Sequence, residues 1–283
     1  MRLFLRLAVA VPLVLFAWPA AAQAPQPGWI ADPRTGCRVW SINPQREKIA
    51  WSGSCAGGLA QGSGVVQWSL AGRPTRRYEG ELRDGKENGR GVYTWDNGRR
   101  YEGEWRDGQI HGRGVLTGPN SRYEGEFRDG EQNGHGVLTD SYGRYEGEFR
   151  DGGRGVMTWA SGGRYEGEVQ DGKPNGRGIQ TWANGNRYEG EFQDGELHGP
   201  GVFTQPDGAR YEGEFRDGKP DGRGIETWAD GERYEGEWRN GKAHGSGVKT
   251  APDGRVFNGI WRDGCFHVGD RWSAVGVDAS SCR

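Results

Sequence analysis

Paired carboxylates are the first candidates for chemistry in this 283-residue chain. Two glutamates one residue apart, as at Glu212 and Glu214, have the makings of a general acid–base pair. The same pair recurs in eight Tyr-Glu-Gly-Glu tetrapeptides, beginning at Tyr78, Tyr101, Tyr123, Tyr145, Tyr165, Tyr188, Tyr211 and Tyr234. A catalytic dyad is one site, whereas eight copies describe the surface of a strand. His111, His198, His244 and His267 offer metal ligands, but their spacing follows the same recurrence and disperses them; each is expected late in an exposed hairpin loop. Runs such as Asp217 to Gly222 resemble calcium loops, yet the closing bidentate glutamate is missing and turns explain them. No Gly-x-Ser-x-Gly, Walker loop or Rossmann fingerprint follows a strand. The chain reads as a non-enzyme without cofactor or metal.

The elements that carry these residues are set by composition. The chain has 53 Gly and 13 Pro, with 33% hydrophobic residues, yet 13 Trp. Gly and Pro are the poorest helix formers, which excludes long helices. Scarce Val, Ile and Leu exclude a large aliphatic core. The absence of a strict Gly-X-Y period excludes collagen, and the abundance of rings argues against disorder. A turn-rich β protein is left.

Recurrence sharpens this. The tetrapeptides are spaced by 23, 22, 22, 20, 23, 23 and 23 residues, the mark of a repeat architecture. Each unit reads as a β-hairpin. A first strand such as Arg210 to Arg216 alternates with period two. A turn-rich loop from Asp217 to Gly222 follows, then a second strand from Arg223 to Thr227 and a further turn at Ala229-Asp230-Gly231. With Arg216 opposite Arg223, Phe215 would face Gly224, Gly213 would face Glu226 and Tyr211 would face Trp228. The glycine opposite Phe215 would make room for its ring. The Tyr145 unit lacks three residues, all inside the expected loop. A degenerate unit starts at Trp51 and an altered one at Phe257, giving about ten units.

This Tyr-x-Gly-x-aromatic-x-x-Gly…Gly-x-Gly pattern resembles the MORN repeat (membrane occupation and recognition nexus). The resemblance implies an all-β, elongated single-layer antiparallel sheet of tandem hairpins with an aromatic-lined groove. It implies protein–protein contact and scaffolding as the role, with phospholipid-surface binding as the alternative. The candidate groove comprises Tyr78, Tyr101, Trp105, Tyr123, Phe127, Tyr145, Phe149, Tyr165, Tyr188, Phe192, Tyr211, Phe215, Tyr234 and Trp238. Departures from the pattern are Leu82 and Val169 in the second aromatic column and Phe257 in the first.

The ends read differently. Arg2 and Arg6, the apolar stretch from Leu7 to Trp18 and the small residues Ala20-Ala21-Ala22 form a secretory signal over residues 1–22; an uncleaved membrane anchor is the rival reading. Residues 23–50 and 273–283 are expected to cap an array over 51–272. Export, to a periplasmic or extracellular space, makes four cysteines a disulfide framework. If the array is elongated, only Cys37–Cys55 and Cys265–Cys282 can close; metal binding is the alternative, without Cys-x-x-Cys spacing to support it. A net charge of -2 provides no basic field for nucleic acid. The expected partner is a protein.

Overall fold

The computed structural model describes residues 26–150 and 152–282; the expected signal segment, residues 1–22, lies outside them. Their architecture is all-β, a single open sheet of 24 mostly antiparallel strands with one short 3-10 turn at Ala279–Cys282. From Leu59–Leu70 to Arg271–Ala274 each strand pairs with the next one in the chain. Serial pairing adds hairpins in one direction, so the sheet is elongated and its two ends never meet.

Within a unit the register differs from the sequence expectation. The chain turns on two residues, Asp217 and Gly218, with φ of 50° and 75°. Both central residues are left-handed, the conformation of the hairpin turns whose twist matches that of the flanking strands. Asp tolerates it and Gly adopts it freely. Arg216 therefore opposes Lys219 and Phe215 opposes Pro220, while Gly213 opposes Gly224 and Tyr211 opposes Glu226. The stretch Lys219 to Gly222, expected as loop, belongs to the strand Lys219–Thr227. The two extra residues on that strand are absorbed by a bulge between Gly213 and Phe215. Local polarity concealed this, because a bulge takes the same Asp, Asn and Gly residues that a loop does.

The glycine pairing repeats across the sheet. Gly201, Gly213, Gly224, Gly236, Gly247 and Gly259 are successive cross-strand partners, and the row extends back to Gly64. The space above it is taken by tyrosine rings rather than by the second aromatic. A Cβ on Gly224 would overlap the Tyr211 hydroxyl, and one on Gly213 would stand 2.6 Å from it. Trp51 lies in the same way over Gly53 and Gly64, so the degenerate first unit uses an indole where later units use a phenol.

At the ends the pairing pattern changes. Gly28–Ala31 pairs with Arg38–Ser41, which reaches Leu59–Leu70 by one parallel bridge. Disulfides Cys37–Cys55 and Cys265–Cys282 close locally, with Cα separations of 5.7 and 5.4 Å. Each cross-links one end of the sheet, as expected for an elongated array.

Candidate functional site

Tyr, the second aromatic four residues on, and the residue opposite the tyrosine share one face of the sheet. The tyrosines form its floor. Tyr78, Tyr101, Tyr165, Tyr188 and Tyr234 are fully covered and Tyr123 and Tyr211 nearly so. Each hydroxyl donates to the carbonyl of the glutamate three residues on, at 2.7 to 3.1 Å. In every unit but the shortened one at Tyr145, that carbonyl lies in the bulge, where the strand ladder is interrupted. Burial holds the phenols well above their ordinary range, with Tyr123 and Tyr165 pushed up to about 12. They stay neutral donors.

The second column interlocks with the first. Each ring stands edge-on to the tyrosine of its own unit and to that of the unit before. Tyr188 thus meets Phe192 at 5.1 Å and Phe215 at 5.0 Å, and Tyr211 meets Phe215 and Trp238 at 5.0 and 5.3 Å. Such pairs contribute roughly 0.5–1.5 kcal/mol each beyond the area they bury. Trp105, Phe127, Phe192, Phe215 and Trp238 are buried by this packing. Of the fourteen candidate groove residues, only Tyr145 and Phe149 are half-exposed.

What this face offers a ligand is the column that the sequence reading missed. The residue between Val/Ile and Thr in each second strand lies opposite the tyrosine: Tyr93, Leu116, Leu138, Met157, Gln180, Phe203, Glu226 and Lys249. Tyr93 and Lys249, at the two ends, are buried, the six between them are half-exposed, and their chemistry changes from unit to unit. Glu226 is pushed up to about 7, first by burial and then by Glu232 beside it. Because these positions vary, they leave no mark in a repeat pattern. Alternation counted out from the tyrosine could have found them.

The glutamate pairs do not act as dyads. The first of each pair takes an ion pair from the arginine two residues before it, at 2.6 to 2.7 Å from Arg77–Glu79 to Arg233–Glu235. The second folds against the bulge; Glu104 and Glu237 accept from the N–H groups of Arg113 and Ser246. His111, His198 and His244 stand half-buried in strands, and His267 exposed in one, not in loops. Among the described residues no group of three or more His, Cys, Asp or Glu could hold a metal ion.

Near the middle of the sheet the face opens. A cavity of about 450 Å³ lies among Leu138, Tyr145, Phe149, Met157 and Val169, with Glu148, Arg150 and Asp171 at its edge. It falls between the two buried apolar clusters, one ending at Phe127 and the other starting at Tyr165.

A one-layer sheet of hairpins with an interlocked aromatic face defines the class: a β-hairpin repeat protein. The MORN repeat profile matches residues 78–99, 101–121, 123–141, 153–164, 165–187, 188–210, 211–233 and 234–254. These cover more than half of the chain, which belongs to the MORN repeat family. The family is not generally enzymatic, and its repeats are associated with protein or lipid binding. No curated protein matches the chain.

Proposed function

We propose that this chain is an exported, non-enzymatic interaction module that scaffolds a protein partner on its aromatic face. The observation that carries this is the half-exposed column Leu116, Leu138, Met157, Gln180, Phe203 and Glu226, set on a buried ladder of tyrosines and second-column rings. The ladder gives rigidity and the column gives a sequence of side chains for a partner to match. Rigid platforms bind with less ordering cost than flexible ones.

A protein fits better than a lipid surface. The opposite face carries arginines already ion-paired to glutamates, and the net charge is -2. Neither supplies the cationic patch that anionic headgroups require. Export is supported by the N-terminal sequence together with two disulfides, which persist in oxidising compartments.

Capture on immobilised protein from the exported fraction tests the reading. A Leu138→Glu, Phe203→Glu double variant should lose captured protein, whereas Thr158→Glu on the opposite face should keep it. Equal capture by all three overturns the assignment to this face. Co-sedimentation with phosphatidylglycerol vesicles in the absence of any partner would favour the lipid reading. N-terminal mapping of the exported chain should find Gln23 first.

A further inference from the structure

We propose that the cavity beside Tyr145 is a docking site for an aromatic side chain of a protein partner, flanked there by a basic residue. This deepens the reading above, on which it rests, by naming the seat and the chemistry of the group that fills it.

Two separate departures from the repeat meet at this point. Val169 stands where every other unit but the Leu82 one carries a ring. Elsewhere the tyrosine of one unit meets the ring of the next at 4.7 to 5.5 Å, edge-on, from Tyr78–Trp105 to Tyr234–Trp261. Tyr145 has Phe149 alone, at 5.0 Å. The second departure is the three-residue shortening of the Tyr145 unit. By composition that loss falls in a loop, but in longer units the same residues continue the strand. They place Ile110 against Trp105, Leu197 against Phe192, Pro220 against Phe215 and Ala243 against Trp238. Phe149 has no such cover and lies beyond the end of its strand, Gly143–Glu148.

Either change alone would expose one ring. Together they open a cavity of about 450 Å³, within the range of small-molecule and side-chain sites. The ladder states what belongs there: a ring edge-on to Tyr145, replacing the contact that Val169 does not make. Met157, unbranched and polarisable, supplies an adaptable wall. The mouth is acidic. Arg150 lies 3.6 Å from Glu148, which leaves the exposed Asp171 carboxylate without an ion-pair partner among the described residues. An arginine or lysine next to the partner's aromatic residue would meet it.

Met157 also reports on the site, since Met1 is the chain's only other methionine. Methyl-labelled methionine gives a resonance inside the cavity, and a docked ring must shift it. The probe is the capped hexapeptide Ser-Gly-Trp-Arg-Gly-Ser, titrated to millimolar concentration. The expected result is a saturable shift of the Met157 methyl, lost with Val169→Phe, which supplies the missing ring from within. Asp171→Asn should weaken binding about two- to fivefold, the worth of one exposed ion pair. A peptide with Leu in place of Trp should not shift the resonance.

An unmoved methyl overturns the proposal, as does an equal shift by the Leu peptide or a shift by phosphatidylglycerol vesicles alone. Retained protection from hydrogen exchange in Val169→Phe shows that lost binding is not lost folding. If partner capture falls with Leu138→Glu, Phe203→Glu but not with Val169→Phe, this site fails while the interaction module stands. Loss in neither overturns both.

Discussion

Tyr211 donates its hydroxyl to the carbonyl of Glu214 at 3.1 Å, so a side chain satisfies the acceptor that the bulge takes out of the ladder. The choice of tyrosine over phenylalanine follows from this bond. In the last unit Phe257 replaces tyrosine, and its strand pairs with the next through Trp261–Phe266 and Arg262–Cys265 only, without the paired glycines. There the hydroxyl and the bulge are both lost, whereas the shortened Tyr145 unit has lost the bulge alone and its hydroxyl still donates to Glu148.

Tyr188 tests the bond where it is doubled, with acceptors on Glu191 at 3.0 Å and His198 at 3.2 Å. Tyr188→Phe keeps the ring contacts and strands two carbonyls. A local loss of about 1–3 kcal/mol is expected, read as faster amide exchange in Arg187–Gln193 and Glu196–Thr204 with distant units unchanged. Tyr188→Ala should cost more, about 3–5 kcal/mol, because the ring packing goes as well. Equal effects of the two substitutions would show that the hydroxyl contributes little.

Gly224 faces Gly213 beneath the Tyr211 ring. In a strand, Gly→Ala ordinarily helps, since glycine loses more entropy on folding. Here the added methyl overlaps a ring held on both sides by Phe215 and Trp238. Gly224→Ala should destabilise the unit by about 1–3 kcal/mol, the usual cost of overpacking, whereas Ala229→Ser in the neighbouring turn should have little effect. Amide exchange in Lys219–Thr227 separates the two.

The repeat period, the hairpins, the shared face of Tyr211 and Phe215 and the two disulfide pairings were legible in the sequence, because each depends on residues that recur or on the distance between ends. The register was not. Lys219-Pro220-Asp221-Gly222 has a loop's composition, and only the pairing of the whole sheet shows that Asp217-Gly218 suffices to turn the chain. The same error hid the cavity. A shortening assigned to a loop has no structural consequence, whereas one taken from a strand uncovers Phe149. The half-exposed column from Leu116 to Glu226 escaped because it varies.

Both disulfides close short loops, of 18 and 17 residues in sequence separation, which on the chain-entropy view stabilises each end by about 3 kcal/mol. Contacts in a repeat array are confined to neighbours, so reduction should loosen the ends and leave the centre. Amide exchange after reduction should rise in residues 28–56 and 265–282 and stay unchanged in 188–233. A cooperative collapse of the whole sheet would contradict strictly serial pairing.

Glu87 ties stability to pH at the first of these ends. It occupies the position opposite the second column, facing Leu82, where other units bury Leu197 or Ala243. Burial pushes its carboxyl up to about 7 from 4.5, against the pull of its own backbone N–H and of Arg76. A folded-state value above the unfolded one means that the native state holds the proton more tightly. The stabilisation is therefore complete below pH 4.5 and is lost as pH rises toward 7, by up to about 3 kcal/mol. Exchange in Lys86–Trp95, corrected for its intrinsic pH dependence, should accelerate between pH 5 and 7.5. Glu87→Gln keeps the size and the neutral form, and it should flatten that dependence while holding the low-pH protection. A wild-type profile already flat over this range would mean that Glu87 ionises where an exposed glutamate does, and that the first hairpin opens to water around it.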